Sequence, residues 1–278
     1  MPSSPQILSG LREIASEYDA LVCDVWGVLH DGREGRQDAV DALRRFRARH
    51  GKVVLLSNAP RPKRDLEEQF ARFGVPSDSY DDIVTSGIAA RIDLEARRPR
   101  SMYHLGPERD RGIFEGLGIE LTGVEDAEVV LNSGLFEDDV ETPDDYRDLL
   151  DAMSARGLLM LCANPDRVVQ RGGRLIYCAG ALADRYEKAG GKVVYFGKPM
   201  PPIYDLVRAR LAGSVRALAI GDGLHTDIKG ANGAGLDALF IADGIHGEDI
   251  GAVTAEHMAE LFAKTGVHAR AAMQALVW

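Results

Sequence analysis

The sequence predicts an α/β fold built on a largely parallel sheet. Short apolar runs rich in β-branched residues alternate along the chain with longer stretches of helical periodicity, as expected when helices connect parallel strands. Most of these runs end in a polar or glycine-containing turn. Because ligands of open parallel sheets bind at the carboxyl ends of the strands, these turns are where we expect a functional site.

Two helices between the predicted strands carry clear terminal signals. The segment DAVDALRRFRARHG has apolar residues at Val40, Leu43 and Phe46 and ends at Gly51. The segment TPDDYRDLLDAMSARG starts with Thr142 as the N-cap and continues with a proline, which favours a helix start. In chain order, the predicted strands are ALVCDVW, KVVLLSN, SMYHLG, AEVVLNS, LLMLCAN, VVYFG, ALAIGD and ALFIAD.

The composition favours a small-molecule partner over a polyanion. The 278 residues carry a net charge of −10, which disfavours binding to a nucleic-acid backbone and suits a divalent cation. From the first twenty residues we expect no signal peptide, and no apolar run approaches the roughly 20 residues that span a bilayer. Cys23, Cys162 and Cys178 are odd in number and lack metal-ligand spacing, so we expect free buried thiols in a cytoplasmic protein without a membrane partner.

Two of the predicted strand ends carry carboxylates. Asp24 follows the run ALVC, and Asp222 lies between two glycines after ALAI, with Asp227 five residues further on. Carboxylates around a glycine turn suit Mg²⁺, which commonly takes few protein carboxylates together with waters and phosphate. The structural alternatives are a turn aspartate at position 24 and a helix-capping pair at positions 222 and 227.

Two further strand ends carry groups that bind anions. Ser57 and Asn58 follow the run VVLL and offer a hydroxyl, a side-chain amide and backbone N–H groups for phosphate oxygens. Lys198 lies between Gly197 and Pro199, where its charge could stabilise a phosphoryl group or keep an aspartate ionised. The alternatives are an ordinary turn and a surface lysine.

Taken together and in this order, the four segments resemble the motifs of the haloacid dehalogenase superfamily of phosphohydrolases. The resemblance covers nearly the whole chain. The long gap between Ser57 and Lys198 is similar to class IIA, the branch with a large α/β cap inserted there, which contains nitrophenyl-phosphatase-like, nucleotide-phosphatase-like and pyridoxal-phosphatase-like members. Thr85-Ser86-Gly87 and Asn164-Pro165-Asp166 look like the start of that cap and its substrate-facing loop.

The resemblance implies a Rossmann-like parallel-sheet core with an inserted α/β cap domain. The core is expected at residues 1–84 plus 191–278, and the cap at residues 85–190. The middle third of the chain contains strand and helix patterns of its own, which fits a separate layer. Its closure over the strand ends would exclude water from the reacting group.

The resemblance also implies an activity, namely Mg²⁺-dependent hydrolysis of a small phosphorylated metabolite through an aspartyl-phosphate. Asp24 would be the nucleophile. The implied Mg²⁺ site comprises Asp24, the backbone carbonyl of Trp26 and Asp222, with Asp227 orienting the metal's ligands. The implied phosphate- and substrate-binding residues are Ser57, Asn58, Lys198, Asn164 and Asp166, of which Lys198 would act on the transferring phosphoryl group.

Trp26 departs from the superfamily pattern. The residue two positions after the nucleophile is usually an aspartate that protonates the leaving group and then activates water, which is typically worth roughly 10²–10⁴-fold in rate. Two explanations keep the protein an enzyme. In the first, the leaving group needs no proton, as with an acyl phosphate, a phenolate or an enolate. In the second, His30, Asp31 or His225 supplies the proton instead.

The third alternative is a protein that has lost turnover and serves as a phosphate-ligand-binding or regulatory protein on the same fold. A hydrolytic dehalogenase is a further function within the superfamily, disfavoured because it would leave the metal site idle. The sequence leaves the physiological substrate open, and it also leaves open whether the protein is a monomer or a homodimer.

Overall fold

The computed structural model describes residues 4–171, 174–212, 216–244, 250 and 252–278. The chain divides into two compact units. Unit 1 comprises Met1–Ser57, Leu66–Val84 and Tyr204–Trp278, and unit 2 comprises Asn58–Asp65 and Thr85–Ile203. In the part of the chain so described, no helix is long and apolar enough to cross a membrane.

Both units are α/β, which confirms the predicted fold class. The strands in chain order are β1 (Gln6–Ile7), β2 (Ala20–Asp24), β3 (Lys52–Ser57), β4 (Asp82–Thr85), β5 (Ser101–Leu105), β6 (Glu120–Leu121), β7 (Val129–Asn132), β8 (Leu159–Cys162), β9 (Val168–Arg171), β10 (Arg174–Tyr177), β11 (Lys192–Tyr195), β12 (Ala217–Gly221), β13 (Asp237–Ile241) and β14 (Ala271–Met273). The α-helices are α1 (Gln37–Arg49), α2 (Lys63–Phe73), α3 (Ser86–Arg97), α4 (Arg147–Ala155), α5 (Ala179–Lys188), α6 (Pro201–Leu211), α7 (Lys229–Gly233) and α8 (Ala255–Thr265).

The sheet of unit 1 has the strand order β1-β14-β13-β12-β2-β3-β4. The pairs from β1 across to β3 are parallel. Strand β2 lies between β12 and β3, and all five of its residues are buried. A central parallel strand covered on both faces reads as a continuous apolar run, which explains the sequence ALVC before Asp24.

The sheet of unit 2 has the order β11-β8-β7-β5-β6, with parallel pairing throughout. Strands β9 and β10 form a separate antiparallel hairpin. The predicted cap range, 85–190, lies wholly inside unit 2. The unit extends further, because β11 pairs with β8 and because residues 58–65 also belong to it.

The two predicted helices are confirmed, with differences at their ends. Helix α1 ends at Arg49, and Gly51 then passes so close to Asp19 that a Cβ would lie 1.8 Å from the Asp19 carbonyl oxygen. The second predicted helix begins as a 3-10 turn at Pro143–Tyr146 before α4 starts. The three cysteines are free and buried, as predicted, and burial raises the pKa of the Cys162 thiol to about 12.

Candidate active site

Three carboxylates meet at the carboxyl ends of neighbouring strands in unit 1. Asp24 is the last residue of β2, Asp222 follows the end of β12, and Asp227 lies in a π-helical turn at Leu224–Ile228. Strands β2 and β12 pair directly, which brings the first two carboxylates to one edge of the sheet. One oxygen from each of the three lies within 4.8 Å of the others, and all three residues are buried.

Glycines let the backbone close around this cluster. A Cβ built on Gly27, whose φ is +86°, would lie 2.1 Å from Oδ2 of Asp222, and one on Gly244 would lie 1.9 Å from the same atom. A Cβ on Gly221 would lie 2.2 Å from the Cβ of Asp227. Any side chain at these positions would displace the carboxylates, so the site depends on glycine.

Hydrogen bonds orient Asp227. Its Oδ2 accepts the backbone N–H of Gly223 at 3.1 Å and the hydroxyl of Thr226 at 3.2 Å. Both donors come from the turn that follows β12, so the loop fixes its own carboxylate. The hydroxyl contact explains why a threonine precedes Asp227. A Cβ on Gly223 would lie 2.0 Å from the Thr226 hydroxyl oxygen, which explains why a glycine follows Asp222.

The carboxylate cluster fits a divalent cation. Three buried carboxylates this close would repel one another, and burying like charges is costly unless a cation compensates them. Their oxygens are the donor type that Mg²⁺ and Ca²⁺ take. The donor set contains neither a histidine nor a cysteine, which would favour zinc or another transition metal.

Ser57 lies beside this cluster in the sheet order. It is the last residue of β3, and Asp24 pairs in register with the preceding residue, Leu56. Ser57 is 6% exposed. The strand that carries the predicted nucleophile and the strand that carries the predicted phosphate-binding hydroxyl are therefore neighbours.

Trp26 is packed into the turn that follows Asp24. Its ring meets the His30 ring edge-on, with centroids 5.0 Å apart. The same ring lies against Gly32, where a Cβ would come within 2.6 Å of it. The turn is closed by a hydrogen bond from the Gly27 N–H to the His30 carbonyl. An indole held in this way contributes packing and offers no proton for a leaving alkoxide.

His30 is a core residue. It is 1% exposed, and its ring also packs edge-on against Phe73 with centroids 5.0 Å apart. Its Nδ1 accepts the N–H of Gly32 at 3.1 Å. Burial lowers the pKa of His30 to about 4, so the imidazole is neutral near pH 7 and is a poor source of a proton there.

The other two candidate proton donors lie in exposed turns. Asp31 accepts the N–H groups of Arg33 and Glu34 at 2.8 and 3.0 Å. Burial raises the pKa of Asp31, but these hydrogen bonds outweigh it and bring the pKa below its usual value. His225 is exposed in the same π-helical turn as Asp227.

The remaining predicted residues belong to unit 2. Asn58 and Lys198 are 4% and 3% exposed, and Asn164 is buried close to the end of β8. The Asn58 side chain accepts the Lys198 N–H at 2.7 Å and donates to Oδ1 of Asp166 at 2.9 Å. Asn164 in turn accepts the Asp166 N–H at 3.0 Å. Unit 2 therefore brings these four predicted residues into one hydrogen-bonded group.

Sequence reasoning missed a second polar network in unit 2. Asp110 is 2% exposed, forms an ion pair with Arg61 at 3.3 Å and interacts with Ser133. The Ser133 hydroxyl also lies 2.9 Å from Nε2 of His104. Burial raises the pKa of Asp110 to about 6. The segment PERDRG that carries Asp110 reads as a surface turn, so no local signal could have identified it.

Two family models match the chain at the segments that carry the site. A model described as haloacid dehalogenase-like hydrolase matches residues 21–120, which include Asp24 and Ser57. A second, described as HAD-hydrolase-like, matches residues 195–265, which include Lys198, Asp222 and Asp227.

Sequence and structure comparisons agree with these matches. A haloacid dehalogenase-like hydrolase from Brucella suis is 42% identical, with a TM-score of 0.87, over 98% of this chain and 100% of that one. The ribonucleotide monophosphatase NagD of Escherichia coli is 30% identical over 240 residues, 82% of this chain and 89% of NagD.

A third relative is the D-glycerol 3-phosphate phosphatase of Mycobacterium tuberculosis. It is 28% identical over 85% of this chain, and the match spans 66% of its own length, just under two thirds. A crystal structure of glycerol phosphate phosphatase from the same organism, in complex with magnesium, has a TM-score of 0.67 at 26% identity over 92% of this chain and 75% of that one. The similarity to NagD and to the Brucella hydrolase, over four fifths or more of each chain, shows the family: the chain belongs to the haloacid dehalogenase-like hydrolases and groups with phosphatases among them.

Proposed function

We propose that the protein hydrolyses a small phosphorylated metabolite in a Mg²⁺-dependent reaction that passes through an aspartyl-phosphate on Asp24. The observation that carries this proposal is the buried cluster of Asp24, Asp222 and Asp227, with oxygens within 4.8 Å of one another. The relatives named as phosphatases support the reaction class. The magnesium complex of the Mycobacterium tuberculosis enzyme supports the choice of metal.

In the proposed reaction, a carboxylate oxygen of Asp24 attacks phosphorus. The bond between phosphorus and the leaving-group oxygen breaks, and the leaving group takes the electron pair. Water then attacks the phosphorus of the aspartyl-phosphate, which releases orthophosphate and restores the Asp24 carboxylate. Ser57 and Lys198 are proposed to bind the phosphoryl oxygens and to balance their charge.

Asp24, the carbonyl of Trp26 and Asp222 are the proposed ligands of Mg²⁺, and Asp227 is proposed to orient the ligand set. When bound, the cation offsets the charge that otherwise keeps a phosphate dianion away from an anionic nucleophile. The contacts of Asp227 with Gly223 and Thr226 hold its carboxylate in a fixed direction, as this role requires.

The packed Trp26 shapes the expected substrate. Neither Trp26 nor the neutral His30 can protonate a leaving alkoxide at pH 7. We therefore infer that good substrates are those whose leaving group departs without a proton, such as an acyl phosphate or an aryl phosphate. His225, exposed in the turn of Asp227, stays the alternative donor.

The same observation favours a second candidate function, a phosphate-ligand-binding protein with little turnover. The carboxylate cluster and Lys198 would still bind Mg²⁺ and phosphate in such a protein. The two functions differ in whether the aspartyl-phosphate forms and breaks down.

The test is phosphate release from p-nitrophenyl phosphate, acetyl phosphate and a panel of alkyl phosphates, with and without Mg²⁺. Asp24→Asn should abolish release, and His225→Gln tests the remaining proton donor. Trp26→Asp should raise activity on alkyl phosphates by about 10²-fold or more. Aryl phosphate hydrolysis should rise less, because its leaving group needs no acid and only the attack of water on the aspartyl-phosphate gains from the new carboxylate. Absence of release by the wild type, together with activity in Trp26→Asp, would support the binding protein and overturn the enzyme.

A further inference from the structure

We propose that Asn58 is a positioning residue that joins the backbone of Lys198 to the carboxylate of Asp166, and that its side chain does not bind the transferring phosphoryl group. The inference rests on the proposed function. It differs from the sequence-based expectation, which grouped Asn58 with the phosphate-binding residues. The structure places the relevant contacts within unit 2.

The hydrogen-bonding capacity of the Asn58 amide is used inside the protein. Its Oδ1 accepts the Lys198 N–H at 2.7 Å. Its Nδ2 donates to Oδ1 of Asp166 at 2.9 Å and lies 3.4 Å from the Lys198 carbonyl oxygen. An asparagine amide has two hydrogens to donate, and each has an acceptor here. A phosphoryl oxygen would have to displace one of these acceptors.

The orientation of the amide follows from its partners. The Lys198 N–H can only donate, and an ionised Asp166 carboxylate can only accept. The reversed amide would place Nδ2 against the N–H and Oδ1 against the carboxylate, which are two repulsive contacts. The network therefore assigns the oxygen of Asn58 to Lys198 and its nitrogen to Asp166.

The contact between Asn58, Lys198 and Asp166 is called the junction below. Gly197 shows how closely the segments approach one another there. Its φ is +110°, and a Cβ there would lie 2.6 Å from Oδ1 of Asn58, 2.9 Å from Cδ of Pro165 and 2.9 Å from Oγ of Ser86. Ser86 donates a hydrogen bond to the carbonyl of Phe196. Ser86 and Pro165, one residue from each of the two triplets singled out in the sequence, thus lie against Gly197.

These contacts fix the backbone from which the Lys198 side chain extends. A lysine that is 3% exposed is rare, and its side-chain direction is set by the backbone from which it extends. Asn58 fixes that backbone by its N–H, and Ser86 fixes it two residues earlier. The same amide holds Asp166 in the loop predicted to contact substrate. The Asn58 side chain therefore fixes the positions of both Lys198 and Asp166.

A reciprocal exchange tests this role. Asn58→Asp leaves an acceptor for the Lys198 N–H but puts two carboxylates in contact, so kcat/KM for p-nitrophenyl phosphate should fall on the order of 10- to 100-fold. Adding Asp166→Asn restores a donor and an acceptor with the polarity reversed. The double variant should regain about tenfold over Asn58→Asp. A double variant no better than Asn58→Asp would overturn the proposal.

Asn232→Asp is the matched control. The Asn232 side chain also spans a backbone N–H and carbonyl, both of His268, at 2.7 Å each, but it lies exposed in unit 1. The Asn232→Asp variant should leave kcat/KM unchanged and should lower the unfolding midpoint less than Asn58→Asp, because its carboxylate stays in contact with water. If Asn58→Asp does not fold, Asn58→Ala is combined with Asp166→Ala instead: a double variant that loses no more kcat/KM than the worse single variant would support the proposal, and additive losses would overturn it.

Failure of the proposed function is distinguishable from failure of this inference. If the wild type releases no phosphate from any substrate, the proposed function fails. The Asn58→Asp, Asp166→Asn and double variants are then compared with the wild type by calorimetric titration with orthophosphate in the presence of Mg²⁺. Weaker binding in Asn58→Asp that the double variant regains supports the junction, and binding that is not regained overturns it.

Discussion

His30→Asn tests whether His30 is a buried neutral residue or a proton donor. In the folded protein, burial lowers the pKa of His30 from 6.5 to about 4. Between pH 6.5 and about 4, the unfolded chain therefore protonates His30 more readily than the folded protein does. The folded state loses stability as the pH falls through this range. This difference in pKa lowers the free energy of unfolding by about 3 kcal/mol in total, of which about 2 kcal/mol is lost between pH 7 and pH 4.5.

The substitution is chosen to remove titration while keeping the hydrogen bond. The Oδ1 of an asparagine at position 30 can still accept the Gly32 N–H, which Nδ1 accepts in the wild type. The lost ring contacts with Trp26 and Phe73 destabilise the variant at every pH by a similar amount. The difference between the two proteins should therefore shrink as the pH falls.

The assay is urea unfolding of both proteins at several pH values from 7 to 4.5, with the free energy of unfolding extrapolated to water. The expected result is that the wild type loses about 2 kcal/mol more than His30→Asn across this range. Parallel pH dependences of the two proteins would refute the reasoning. His30 would then titrate near its normal pKa and would return as a candidate acid in place of the aspartate missing at position 26.

Three further substitutions follow from the geometry. Gly27→Ala places a Cβ 2.1 Å from Oδ2 of Asp222, so Mg²⁺ affinity measured by calorimetric titration should fall by tenfold or more; an unchanged affinity would show that this loop yields freely. Burial raises the pKa of Asp110 to about 6, so the wild type should lose about 2 kcal/mol of unfolding free energy as pH rises from 4 to 7, and Asp110→Asn should not; denaturant unfolding at both pH values measures this loss, and an equal loss in the variant would contradict it. Gly180→Ala would put a Cβ 2.3 Å from the Pro165 carbonyl oxygen, so relative kcat/KM values across the phosphate panel should shift while the Asp24 reaction persists; an identical substrate ranking would argue against a role of this loop in specificity.

The carboxylate cluster could be predicted from the sequence because its signals are local. Asp24 and Asp222 each end a short apolar run beside a glycine, and parallel strands present their carboxyl ends on one edge. The structure pairs Cys23 with Ile220, which places the two runs side by side. Which strands become neighbours depends on residues far apart in the sequence. The edge on which the carboxylates meet follows from the strands being parallel, because each carboxylate lies at the carboxyl end of its own strand.

Side-chain environments were less accessible to sequence reasoning. The segment LHDG reads as a loop, yet Phe73 from α2 covers His30 and excludes water from it. The contact between Asn58 and Lys198 joins residues 140 positions apart, so no local pattern contains it. The hairpin of β9 and β10 was also missed, because four-residue strands that mix arginine with apolar residues give only a weak alternating signal.

The central position of β2 has a consequence for synthesis on the ribosome. Its partner β3 follows closely in the chain, but its other partner β12 begins only at Ala217. At roughly 5–20 residues per second, the edge of β2 that β12 will cover waits on the order of 10 to 40 seconds while the intervening chain is made. During that time the apolar run ALVC, with unpaired backbone groups along one edge, is open to neighbouring nascent chains. The strand that delivers Asp24 is thus also a segment that a chaperone would protect during synthesis.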